Sequence, residues 1–227
     1  MCGRFTLATP AERIAEHFRL AAVPVLQPRY NIAPSQSIAA VRAAGPQREL
    51  VWLRWGLVPA WARDPKVGYR MINARAESLA ERPAYRTAFR RRRCLVPADG
   101  FYEWKGTGRG KQPYHIRRRD GGPFAIAGLW EHWQSPDGEV IESVTLVTTA
   151  ANARLAPLHD RMPVLLAPAT YGIWLDPELH DTRPLAALLQ PCPDDALVTR
   201  PVSRRVNDPR EDDAGLIEAA NEPDRGV

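Results

Sequence analysis

The sequence predicts an α+β domain with an antiparallel, β-rich core that is curved or barrel-like and carries short flanking helices. Three observations lead there. Short apolar runs are broken by Asp-Gly, Gly-Thr-Gly, Asp-Gly-Gly and Pro-Asp-Gly, the chemistry of tight turns. The 22 prolines in 227 residues are roughly twice the usual share, which keeps helices short. No alternation of strand and helix runs through the chain, so a doubly wound parallel sheet is excluded.

The elements follow in order. Thr9-Pro10-Ala11-Glu12 reads as a capping box with Pro at the first helical position, and Ala11, Ile14, Ala15 and Phe18 recur at helical spacing behind it. Ile38 to Trp55 forms two β-like runs around Ala44-Gly45-Pro46, the pattern of a hairpin. A loop rich in Trp and Pro follows. Asn73 to Arg93 reads as a helix interrupted by Pro83, with Asn73 as its N-cap. Leu95-Val96, Phe101 to Lys105, Pro113 to Arg117, Phe124 to Trp130 and Val140 to Thr149 then read as a meander of strands. Arg161 to Leu166 and Leu197 to Val202 add two more, with helical segments near Thr170 to Leu175 and Pro184 to Leu189 between them. The tail from Asn207 is polar, mixed in charge and expected to be loosely held.

Composition narrows the function classes. With 44% hydrophobic and 25% charged residues the chain falls among ordinary globular proteins. No apolar run approaches the roughly 18 residues that span a bilayer. The net charge is +5, and 28 of the 31 basic residues are Arg. Arg offers a planar fork that suits phosphates and stacks on bases, so a nucleic-acid partner and a simple coding bias both account for it. Cys2, Cys94 and Cys192 are odd in number and lack C-x-x-C spacing, which argues against a disulfide framework or a zinc finger. The N-terminus has no charged and apolar leader pattern. A reducing compartment, the cytoplasm, is expected.

Three residues carry candidate chemistry. Once Met1 is removed, Cys2 presents an α-amine and a thiol on one carbon frame, which with an aldehyde forms an imine and then a thiazolidine ring. An inert cysteine that happens to follow the initiator is the alternative reading. Glu103 sits in Phe101-Tyr102-Glu103-Trp104, where an inward-facing carboxyl is desolvated toward acid/base range and an outward-facing one is merely solvated. His159, in Leu158-His159-Asp160-Arg161-Met162-Pro163, has a carboxylate and a guanidinium beside it, the setting of a base or of a structural histidine. Nucleotide-binding glycine loops, G-x-S-x-G and H-E-x-x-H are absent. Cys2, Cys94, His159 and Glu103 lack paired ligands at short spacing, so no metal is expected. Arg4, Trp61, Arg75, Arg90 to Arg93 and Arg161 offer phosphate contacts and stacking for a single strand.

Taken together, Cys2-Gly3-Arg4-Phe5, Arg29 to Pro34, Trp55 to Pro59, Ile72 to Glu77, Arg93 to Trp104, Leu158 to Pro163 and Pro201 to Asn207 resemble the SOS-response-associated peptidase (SRAP) family, the abasic-site shielding proteins. The resemblance implies one SRAP domain over 2–207 and a polar tail over 208–227. It implies binding to abasic sites in single-stranded DNA, capture as a thiazolidine through the mature N-terminal Cys2, self-removal of Met1 and a lyase side activity. Carried over residue by residue, the catalytic set is Cys2, Asn73, Glu103 and His159. Arg4, Asn31, Pro34, Trp61, Arg75 and Arg161 match positions that hold the strand. No cofactor is implied, the protein is expected to act as a monomer associating with the nucleoid, and the tail lacks the replication-clamp motif of vertebrate members. Two other functions remain open at this point: a non-covalent single-strand binder, and a peptidase acting on other proteins.

Overall fold

The computed structural model describes residues 2–108 and 110–220. Thirteen strands follow in chain order: β1 (Phe5–Leu7), β2 (Arg29–Ile32), β3 (Ser37–Ala44), β4 (Gln47–Trp55), β5 (Asn73–Arg75), β6 (Arg93–Ala98), β7 (Gly100–Thr107), β8 (Gly110–Arg118), β9 (Phe124–Gln134), β10 (Val140–Ala150), β11 (Arg161–Pro163), β12 (Leu165–Leu166) and β13 (Leu197–Pro201). Among the described residues the α-helices are short: α1 (Ala11–Phe18), α2 (Arg86–Arg91), α3 (Tyr171–Leu175) and α4 (Thr182–Ala187).

Strands β3, β4, β10, β9 and β6 pair in a ring and close a five-stranded barrel. Closure removes the free edges that an open sheet exposes. A second sheet, ordered β13-β8-β7-β1-β2, is antiparallel throughout. The two meet at β6, whose six residues are all buried, and the chain crosses from one to the other at Asp99-Gly100. A side chain on Gly100 would lie 2.0 Å from Nε2 of His115, so only glycine fits the crossing. Phe5 of β1 packs edge-on against Trp55 of β4 at 5.3 Å, both essentially inaccessible, in the core that joins the sheet to the barrel. Burying side chains of this size stabilises by roughly 1.5 to 3 kcal/mol each.

The expected architecture is present, and four local readings are corrected. Thr9 does not cap α1: its amide and hydroxyl donate to Oδ2 of Asp99, and Pro10 is the residue before the helix. A tertiary carboxylate outcompetes the local cap. Asn73 to Arg93 is not one interrupted helix, because Asn73–Arg75 pairs in parallel with Leu146–Thr148 of β10 and α2 spans only Arg86–Arg91. The strands do not form a simple meander either: β6 pairs with β9 and β7 with β8, so consecutive hairpins are shared between two sheets. Finally, residues 208–220 are held in place. Leu216 is buried with Tyr102, Val202 and Val206 in a second small core, and residues 221–227 lie outside the described residues.

The junction contains a buried histidine that is not among the expected site residues. His115 of β8 stacks obliquely on Tyr102 at 5.1 Å, with its Nε2 3.4 Å from the Thr6 hydroxyl. Burial pushes its pKa down to about 4, Asp99 opposes that shift, and Arg117 and Arg200 add to it. In the unfolded chain an imidazole protonates near 6.5. The unfolded state therefore binds more protons between these values, and stability falls as pH drops through that window. Between pH 7 and 4.5 the wild type should lose about 2 to 3 kcal/mol more than His115→Gln. Urea unfolding at the two pH values measures this, and equal losses would remove the assignment.

Candidate active site

Cys2 leads directly into β1 and is completely buried. Its thiol lies 3.7 Å from the Arg4 carbonyl, and its own carbonyl accepts a 2.8 Å hydrogen bond from Nδ2 of Asn73. Asn73 is brought there by the pairing of β5 with Leu146 of β10. The Asn73 Oδ1 is buried and has no hydrogen-bond partner among the described residues, which leaves an acceptor beside Cys2. Burial drives the Cys2 thiol far above its ordinary pKa, and the negative charge of Glu103 pushes the same way. The resting thiol is therefore protonated and needs a base before it can attack.

Glu103 lies on β7 opposite Tyr114 of β8 and is 3% exposed, so the inward reading of the aromatic strand holds. Burial raises its pKa, and the nearby His159 works against that rise. A carboxyl held this way can take up and release protons closer to neutrality. His159 sits in the turn before β11. Its Nδ1 accepts the Arg161 amide at 2.9 Å and stands 2.7 Å from Oδ1 of Asp160. The neutral ring thus keeps its proton on Nε2, while a proton on Nδ1 finds Asp160 as its acceptor.

A cleft of about 580 Å³ joins Arg4, Glu103 and His159 with Trp104, Lys111, Arg204 and Asn207. Five elements converge on it: the segment before β1, strands β7 and β8, the turn before β11 and the segment after β13. Arg4, Lys111 and Arg204 line it together with a single carboxyl, that of Glu103, a field that favours an anionic ligand. Trp104, Lys111, Arg204 and Asn207 were not among the expected site residues. Trp104 adjoins Glu103 in sequence, and its Nε1 donates to Oδ1 of Asn207 at 2.7 Å. Nothing in the local sequence of Lys111 marks it.

The remaining expected residues divide. Arg75 is exposed on β5, beside Thr148 of β10. Arg161 forms a two-pronged ion pair with Glu77, at 2.6 and 2.9 Å, and also donates to the Thr148 carbonyl. That bond holds the Glu77 carboxyl below its ordinary range. Trp61 is 65% exposed on the loop between β4 and β5, away from the cleft lining. This loop closes where Gly56 crosses Gly68: a side chain on Gly56 would lie 2.6 Å from the Gly68 carbonyl oxygen. Pro34 is half-buried in the turn after β2.

Two expectations of strand contact fail on burial. Asn31 is fully inaccessible, its Nδ2 serving the carbonyls of Val206, Asp208 and Glu211 and its Oδ1 accepting from Arg4 at 2.8 Å. It presents no surface to a DNA strand. The run Arg90 to Arg93 is not a continuous basic patch, because Arg93 is buried and donates to the carbonyls of Phe89, Trp174, Asp176 and Leu179. Arg92 in turn pairs with Glu131 at 2.6 Å.

The chain is similar to proteins from several bacteria. It is 43% identical over 223 residues to the abasic site processing protein YoqW of Bacillus subtilis (strain 168), covering 96% of this chain and 100% of the relative. It is 42% identical over 225 residues to the abasic site processing protein YoaM of the same strain, covering 97% and 99%. A solved structure from Bacteroides thetaiotaomicron superposes with a TM-score of 0.87 at 24% identity, over 97% of this chain and 100% of that one, which shows the same fold. The family model described as SOS response associated peptidase (SRAP) matches residues 1–209, and with the buried Cys2 beside a cleft that unites Glu103 and His159, the chain belongs to that family.

Proposed function

We propose that this protein binds abasic sites in single-stranded DNA and captures them covalently through Cys2 after removal of Met1. The observation that carries this reading is the placement of the Cys2 backbone, held by Asn73, next to the cation-lined cleft of Glu103 and His159. The relatives' identity as abasic site processing proteins supports this reading. Arg4, Lys111 and Arg204 neutralise the backbone phosphates, and Arg75 extends the cationic surface along β5. Asn31 acts by fixing Arg4. Trp61 and Pro34 are proposed to flank the strand farther from the reacting sugar. The protein acts as a monomer in the cytoplasm and joins the nucleoid when bound.

The chemistry balances without a cofactor. The α-amine of Cys2 adds to C1′ of the ring-opened sugar, and loss of one water leaves an imine. The thiol then adds to the imine carbon and its proton ends on the nitrogen, closing the thiazolidine. Glu103 accepts and returns the protons of the amine and thiol, and His159 protonates O4′ as the sugar ring opens. Asn73 keeps the Cys2 backbone fixed, with Oδ1 as acceptor for the attacking amine. Hydrolysis of the Met1–Cys2 peptide bond uses the same thiol and carboxyl, and β-elimination from the imine accounts for a lyase side activity.

Incubation with abasic single-stranded DNA should give a species stable on a denaturing gel, with an intact mass equal to protein without Met1 plus DNA minus one water. Cys2→Ala should abolish it. A wild type that binds the strand and yields no such adduct would leave a non-covalent binder, and release of fragments from a peptide library would point to a peptidase on other proteins. With Met1 already removed, His159→Ala should slow adduct formation and reversal together by about a hundredfold to ten-thousandfold, since one group serves both directions. Wild-type rates in that variant would refute its role.

The electrostatics of the thiol give a separate test. Because the charge of Glu103 raises the Cys2 pKa, Glu103→Gln should lower it. The pH dependence of Cys2 alkylation, followed by mass spectrometry, should place the thiol pKa lower in the variant than in the wild type. An equal or higher pKa in the variant would contradict the proximity of the two groups.

A further inference from the structure

One wall of the cleft comes from the C-terminal segment, residues 203–217, which follows β13 and packs against β2. Arg204 and Asn207 of this strap line the cleft. One end is pinned by the small core of Leu216, Tyr102, Val202 and Val206. Between these points Asp212 makes the connection to β2. Its Oδ1 accepts the amides of Tyr30 and Asn31, and its Oδ2 accepts Nε of Arg29. Asn31 passes the constraint on. Its Nδ2 holds the carbonyls of Val206, Asp208 and Glu211, and its Oδ1 together with the Val206 carbonyl takes both hydrogens of one Arg4 nitrogen, at 2.8 and 2.7 Å.

We infer that Asp212 is a positioning residue for substrate phosphate: through Asn31 and the strap it fixes Arg4 toward the phosphate beside the reacting sugar. This inference rests on the proposed function above. The match to the family model stops at residue 209, and Asp212 lies past it, yet its carboxylate takes three donors from a strand of the second sheet. An Arg with its hydrogens already directed loses little freedom when a phosphate arrives, which is the benefit of preorganisation. Without Asp212 the amides of Tyr30 and Asn31 lose their acceptor, the strap loosens and the Arg4 guanidinium is free to turn. The chemistry at Cys2, fixed by Asn73 and β1, has no contact with Asp212.

The test compares two substrates in the full chain, with Met1 removed. One is an abasic single strand; the other is glycolaldehyde, which carries the aldehyde and no phosphate. Asp212→Ala should weaken binding of the strand by roughly tenfold and make its salt dependence shallower by roughly 0.7 in log-log slope, the loss of one phosphate contact on a single strand. Its rate of thiazolidine formation with glycolaldehyde should match the wild type. Unchanged strand affinity and slope would overturn the inference, and so would an equal loss with both substrates, which marks a general structural role. If Asp212→Ala does not fold, Asp212→Asn, which keeps one acceptor oxygen, is read by the same criteria. A wild type that binds strands without forming adducts would defeat the proposed capture chemistry, while the affinity comparison would still decide the role of Asp212.

Discussion

Asp99 spends both carboxylate oxygens on the first strand and the residues just after it. Oδ1 accepts the Thr6 hydroxyl at 2.5 Å, and Oδ2 accepts the amides of Ala8 and Thr9 and the Thr9 hydroxyl at 2.6 to 2.9 Å. Charge-assisted bonds of this kind are shorter and stronger than neutral ones. They fasten a three-residue strand, too short to hold itself, to the point where the chain crosses from barrel to second sheet. Cys2 lies three residues before that strand, so its position depends on this anchor. The Phe5–Trp55 contact and the Asn73 bond to the Cys2 carbonyl complete the placement from the barrel side.

The electrostatic design of the cleft follows from its position at the junction. Glu103 and Cys2 are both desolvated by burial and thereby shifted toward their protonated forms. The cations Arg4, Lys111 and Arg204 line the same cleft as Glu103. The cleft thus combines a buried acid with basic side chains, a lining that suits an anionic ligand.

Arginine is distributed very differently from what its abundance suggests. Arg93 is an internal staple between the barrel and α3, and Arg161 is committed to Glu77. Arg205 serves Glu211 and Asp213, and Arg210 serves Asp208. Exposed pairs of this kind contribute little stability, because water and salt screen them. Their effect is to cancel charge locally, so the field at the cleft is set by a few residues rather than by the net +5.

Sequence alone determined the class of fold, because turn chemistry and apolar periodicity act over a few residues and proline shortens helices wherever it falls. It also determined the motifs around Cys2, Asn73, Glu103 and His159 that mark the family. The path of the chain could not be read in the same way. Asn73 looked like a helix cap until β10 supplied a partner for its backbone, and Thr9 looked like a capping residue until Asp99 supplied a stronger acceptor. Asn31 resembled a strand contact, yet burial gave its amide to the C-terminal strap. Lys111 and Arg204 enter the cleft only because β8 and the segment after β13 are brought beside β7 and β1. Each of these outcomes turns on which distant group reaches a polar atom first, and that is decided by tertiary packing, where burial makes an unpaired donor or acceptor costly and a long-range partner decisive.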